Sequence, residues 1–185
     1  MIADKLHLTK IIVRKYIIIV LYISVLSCVS TKKPTDNTSL YREKTDSCPA
    51  EGTCHLVLHK NKKLLVKSDE WGFKYYLLED NFSTSVIAFQ YKKNTDNTLQ
   101  DANYSEELLF EIQNSTNELT LKNEELQKTN MLFGRHCYCK GQAGYFSVSV
   151  GSLALKRENN SYLLSLQFKV NQVPQIVESI SGIIP

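Results

Sequence analysis

Tyr162-Leu-Leu-Ser-Leu-Gln-Phe-Lys-Val170 is the stretch on which the fold turns. Successive side chains of an extended chain point to opposite sides. Tyr162, Leu164, Leu166, Phe168 and Val170 therefore share one face, and Ser165, Gln167 and Lys169 the other. One apolar face and one wet face at a period of two describe an antiparallel strand lying on a core. Residues 158–161 read as a turn before it. Further back, Phe146, Val148 and Val150 alternate with Ser147 and Ser149, and Gly151-Ser152 reads as a turn into a strand over 153–157. Three strands in succession predict a meander.

The same period recurs upstream. Leu108, Phe110 and Ile112 alternate with Glu107, Glu111 and Gln113, and Ile87, Phe89 and Tyr91 alternate with Ala88 and Gln90. Shorter strands are expected at 54–59, 64–67, 73–77, 118–121 and 131–139, with one helical turn at 123–127. After Pro174, the residues Ile176, Val177 and Ile180 fall at helical spacing, and proline suits a first helical turn. The fold class expected is mainly β, an antiparallel sandwich or small barrel of about eight or nine strands with a short C-terminal helix.

Of 22 basic and 19 acidic residues, four and one lie in residues 1–27, so 18 of each remain for the rest of the chain. A balanced domain offers no clustered positive charge for nucleic acid or an anionic surface. In residues 1–27, Lys10, Arg14 and Lys15 precede an eleven-residue apolar run from Tyr16 to Leu26. As a helix that run spans ~16 Å, well short of a ~30 Å hydrocarbon core. A basic front, a short apolar stretch and the small residue Ser27 describe an export signal.

Val25-Leu26-Ser27-Cys28 resembles the lipobox of bacterial lipoproteins, with Val25 where leucine is usual. The resemblance implies cleavage before Cys28, a thioether diacylglycerol on its sulfur and acylation of the new amine. Two or three long chains hold a protein on a membrane where one does not. Val29, standing where an aspartate would signal inner-membrane retention, points to the outer membrane, facing periplasm or exterior. The organisation expected is a lipoprotein signal peptide over 1–27, a flexible polar tether over 28–45, and one β-rich extracytoplasmic domain over 46–185.

Cys48, Cys54, Cys137 and Cys139 form a separate, even set, as disulfides in an oxidising compartment require. Three pairings are open. On a straight strand Cys137 and Cys139 would stand about 6.6 Å apart, near the outer limit of disulfide reach. The expected arrangement therefore links both to the Cys48/Cys54 loop, although a bent strand would permit the direct bond. The rival use of these thiols is metal binding with His55, His59 and His136, or redox exchange. Geometry weighs against the metal, because His55 and His59 lie about 13 Å apart on one strand and His136 points away from Cys137.

Catalytic signatures such as GxSxG, HExxH or a Gly-rich phosphate loop do not occur in the sequence. Glu106, Glu107 and Glu111 read as a solvated face, with paired acid–base work the functional alternative, and Trp71, Phe73, Tyr75 and Tyr76 read as core, with stacking on a sugar or a partner the functional alternative. The order Cys48-x5-Cys54, then Asn103-Tyr104-Ser105-Glu106-Glu107, then Leu132 to Gly141 containing His136-Cys137-Tyr138-Cys139, resembles small lipoproteins of Bacteroidota. That resemblance implies the compartment and the anchor and carries no activity. The function expected is a membrane-anchored, non-catalytic binding module without cofactor or metal. Its partner is a protein or small molecule, not nucleic acid, met through the polar loop 92–103 and the aromatics near Trp71. The alternative is a periplasmic metal-binding or thiol-redox protein using the four cysteines.

Overall fold

The computed structural model describes residues 47–185 except 97 and 100. The signal peptide, Cys28 and the tether expected over 28–45 lie outside the described residues. The strands are β1 (Gly52–His59), β2 (Lys62–Ser68), β3 (Lys74–Asp80), β4 (Thr84–Lys93), β5 (Tyr104–Gln113), β6 (Glu118–Lys122), β7 (Leu132–Cys137), β8 (Gly144–Ser147), β9 (Val150–Glu158), β10 (Ser161–Lys169) and β11 (Ser179–Ile184). All pair antiparallel in two sheets. One has the order β1-β4-β5-β7-β8-β3-β2 and the other β11-β10-β9-β6. The protein is mainly β, as the alternation requires, and a 3-10 helix over Asn123–Thr129 covers the expected helical turn.

The main core lies between the sheets. Tyr162, Leu164, Leu166, Phe168 and Val170 are buried there, and so are Ile87, Phe89, Tyr91, Leu108, Phe110 and Ile112 from the facing sheet. Phe133 and Phe168 meet across it with ring centroids 5.9 Å apart. Leu126, fully buried in the 3-10 helix, belongs to the same cluster.

β4 is buried on both sides, which its alternation alone does not show. Val86 and Ala88 join Leu64 and Leu109 in a second cluster, with Tyr76, Leu78 and Tyr145 packed against it. The seven-stranded sheet curls until the β2–β3 hairpin lies over β4 and β5. Side chains fasten it there: Leu64 N–H donates to Glu111 Oε2 at 2.7 Å, Thr84 Oγ1 to Lys62 O at 2.9 Å, and Asn61 N–H to Ser85 Oγ at 3.2 Å.

Three expectations are corrected. The segment after Pro174 forms no helix: β11 pairs with β10 in register Tyr162↔Ile184 through Gln167↔Ser179, and Glu106 claims the N–H groups of Ile176 and Val177 at 2.6 and 2.8 Å. Hydrogen bonding to fixed acceptors overrides the helical spacing of three apolar residues. The meander fails at its first link, because β8 belongs to the larger sheet and pairs with β7, while Gly151 lies inside β9 opposite Phe168. Its φ of 144° needs glycine, and a Cβ would stand 2.1 Å from Gln167 O. The β9–β10 hairpin stands as read.

The cysteine pairing is the third correction. Cys48 bonds Cys54 and Cys137 bonds Cys139, with Cα separations of 5.7 and 5.3 Å. β7 ends at Cys137 and the chain bends at Tyr138, so the straight-strand spacing does not apply. At the other pair a turn with Gly52 N–H on Pro49 O returns the chain to Cys48. Both closures are local and constrain the unfolded chain less than a bridge across the domain would.

Candidate functional site

Residues opposite each other on β2 and β3 share a face, and the register pairs Leu65 with Leu77 and Lys67 with Tyr75. The inner face, with Leu64, Tyr76 and Leu78, seals the second core. The outer face has no cover among the described residues. Phe73 is 64% exposed, and Tyr75 and Leu77 are exposed beside it. At the tip Trp71 is 75% exposed. Its position is fixed from below: Asp69 Oδ1 accepts from the N–H of Trp71 at 3.0 Å and of Phe73 at 2.8 Å, and Gly72 takes φ 85° to close the turn. The expectation that Trp71, Phe73 and Tyr75 pack in the core is therefore corrected; only Tyr76 turns inward. A two-stranded hairpin apolar on both faces can bury just one of them against a single sheet, and the alternation over 73–77 does not say which.

At one end of the curled sheet, the inner face carries a polar row. Gln90, Glu107, Gly134 and Tyr145 are consecutive register partners across β4, β5, β7 and β8. Glu107, buried, accepts from Tyr145 OH at 3.0 Å, Gln90 Nε2 at 3.1 Å and Tyr76 OH at 3.3 Å, and His136 Nε2 lies 4.0 Å away. Burial, and then the Glu107 charge, push Tyr76 up to about 12 and raise Tyr145 as well. Gly134 is needed here, since a Cβ would meet the Tyr145 ring at 2.5 Å.

The neighbouring Glu106 points to the opposite face and is 1% exposed. Besides the two backbone N–H groups it accepts from Tyr104 OH, which in turn accepts from Arg135 Nε at 3.3 Å. Burial, followed by the bond to Glu106, pushes Tyr104 up to about 12. The solvated-face reading of Glu106, Glu107 and Glu111 is thus overturned. All three are structural acceptors: Glu106 and Glu107 have both oxygens taken by hydroxyl, amide or backbone donors, and the half-buried Glu111 accepts the Leu64 N–H on Oε2. Apart from Tyr104, two residues before Glu106 on β5, these donors arrive from β2, β3, β4, β8 and the segment before β11, and sequence spacing carries no sign of them.

Beside this row a groove of about 560 Å³ runs between the ends of the 92–103 loop and the Cys137–Tyr138 bend, with Lys92, Ser105 and His136 in its wall. Tyr138 is largely exposed at its rim. The ends of the loop thereby flank Cys137 in a groove that the Trp71 hairpin face does not line, so the two expected contact regions are separate surfaces. Among the described residues no group of three or more His, Cys, Asp or Glu is placed to hold a metal ion. His55 lies on β1 and His136 on β7, with β4 and β5 between them. His55 Nδ1 is buried without a hydrogen-bond partner. No described helix is long and apolar enough to cross a membrane.

Compared with known proteins, the chain matches no family model, no curated protein and no solved structure.

Proposed function

We propose that this protein is an extracytoplasmic lipoprotein, held on the outer membrane by lipid on Cys28. Its folded part is a non-catalytic module that receives a partner protein on the outer face of the β2–β3 hairpin. The observation that carries the binding role is the exposed row Trp71, Phe73, Tyr75 and Leu77 on a turn fastened by Asp69. Clustered exposed aromatics are characteristic of interaction surfaces, and aromatic anchors dominate binding energy where they occur. The face belongs to a hairpin surface, not a cavity, which suits a protein surface better than a small molecule. The local disulfides support an oxidising compartment, and the lipobox-like Val25-Leu26-Ser27-Cys28 supports the anchor.

The binding role is tested by placing a photo-reactive residue at Phe73 and, in a second protein, at the exposed Ser165 on the other sheet. Irradiated cells should give one discrete adduct from position 73 and none from 165. Tyr75→Ser with Leu77→Ser should abolish it without changing the amount of folded protein. Identical patterns from both positions, or an adduct indifferent to the two serines, would overturn the proposal.

A further inference from the structure

Arg135 is a charged side chain only 9% exposed, and among the described residues it has no carboxylate within ion-pairing distance. Its Nε donates to Tyr104 OH at 3.3 Å, and its guanidinium lies 5.3 Å from the Tyr104 ring centroid. Its Nη1 donates to Gln142 O at 3.2 Å, to Gln142 Oε1 at 3.0 Å and to Cys139 Sγ at 3.2 Å. Glu106, its register partner on β5, reaches it only through the Tyr104 hydroxyl, and the remaining acceptors are neutral, an expensive setting for a buried cation. Two members of that shell can carry negative charge: the Tyr104 hydroxyl, already committed to Glu106, and the Cys139 sulfur, which cleavage of the disulfide would leave as a thiolate against the guanidinium.

The two disulfides are placed differently. Cys54 packs against the main core, and its loop is closed by the turn at Gly52. Cys137 lines the groove beside the 92–103 loop, and the residue between it and Cys139, Tyr138, is largely exposed. One residue of this pair lines an open groove, and the sulfur of the other accepts from a guanidinium.

We propose that Cys137–Cys139, on a surface separate from the hairpin face, is a stoichiometric rather than catalytic thiol–disulfide exchange site serving a thiol-bearing partner, with Cys137 as the attacked sulfur and Arg135 stabilising Cys139 as the leaving thiolate. An incoming thiolate forms a bond to Cys137 Sγ as the Cys137–Cys139 bond breaks, and the electron pair leaves on Cys139. A second partner thiolate, or a second thiol on the same partner, then attacks the mixed disulfide. It releases the partner as its disulfide and Cys137 as a thiolate, and the two protons lost by the partner thiols end on Cys137 and Cys139 or in solvent. Two electrons pass from two partner thiols to one protein disulfide. A positive neighbour lowers a thiol's pKa, and a lower pKa makes a faster leaving group. Among the described residues no cationic side chain is hydrogen-bonded to Cys48 or Cys54, and that pair serves as a staple.

The full chain in detergent, disulfides intact, is exposed to reduced glutathione, quenched with an alkylating reagent at intervals and mapped by mass spectrometry. Cys137 and Cys139 should open at least about tenfold faster than Cys48 and Cys54, with a transient glutathione adduct on Cys137. Arg135→Gln should slow that step by about tenfold, while Arg135→Lys, which keeps the charge, should slow it less. If Arg135→Gln does not fold, the order of opening and the position of the adduct in the natural chain decide the matter. Equal opening of both disulfides, an adduct on Cys139, or reaction only after unfolding would overturn the proposal.

Discussion

Replacing Glu106 is expected to loosen the segment before β11. The side chain is buried, both its oxygens are engaged, and its donors include the backbone N–H groups of Ile176 and Val177 at 2.6 and 2.8 Å. Glu106→Gln keeps the volume and one acceptor but turns an NH2 donor toward a buried N–H or the Tyr104 hydroxyl. One unsatisfied buried backbone donor costs about 1–3 kcal/mol, and exchanging a charged acceptor for a neutral one about another 1 kcal/mol, so a loss of about 3 kcal/mol is expected. Glu106→Ala strands both N–H groups and should lose about 4 kcal/mol. With a urea slope of about 1.5 kcal/mol per molar, the glutamine variant's midpoint falls by about 2 M. Hydrogen exchange locates the effect: the amides of 176 and 177 should lose protection at urea concentrations where β4 and β5 remain protected. A change below about 0.5 kcal/mol, the size of a bland surface substitution, or unchanged exchange at 176 and 177, would refute the anchoring role.

Gly151→Ala places a Cβ against Gln167 O at a φ of 144°, so the same urea titration should show a loss of about 2–4 kcal/mol; tolerance within about 0.5 kcal/mol would contradict the β9–β10 packing. Tyr76 and Tyr104 are both pushed up to about 12. The unfolded state therefore releases their protons from about pH 10 while the folded state keeps them, and stability is full below about 10 and declines as pH rises toward about 12. Glu107→Gln should move the Tyr76 transition, followed by phenolate absorbance, back toward 10 and leave Tyr104 in place; no movement would contradict the Glu107 contact. Trp71, the one tryptophan of the chain, is 75% exposed, so its fluorescence should be freely quenched by iodide and shift little on unfolding. A blue-shifted, protected emission in the natural chain would mean a covered hairpin face.

Strands were legible where one face is dry and the other wet. β10 reads correctly residue by residue because Ser165, Gln167 and Lys169 mark its solvent face. β4 resists this reading: Val86 and Ala88 are buried by a hairpin whose docking depends on tertiary acceptors such as Glu111 and Ser85. Acidic residue types pointed outward, yet Glu106 and Glu107 turn inward because, Tyr104 apart, donors from other elements converge on them, and spacing holds no record of those donors. Helical periodicity after Pro174 lost to strand pairing for a similar reason. The polar loop expected over 92–103 was legible in its composition and begins two residues later, because β4 runs to Lys93, while the outward face of Trp71, Phe73 and Tyr75 followed only from seeing which side β4 and β5 already cover. The Cys137–Cys139 bond turned on one bend at Tyr138.

The anchor is the premise on which a tethered binding module rests, and the mass of the mature amino-terminal peptide recovered from membranes tests it most directly. A peptide beginning at Cys28 and carrying diacylglycerol, with or without a further acyl chain on its amine, is the predicted result. An intact Met1, or an unmodified residue at the mature terminus, would contradict it.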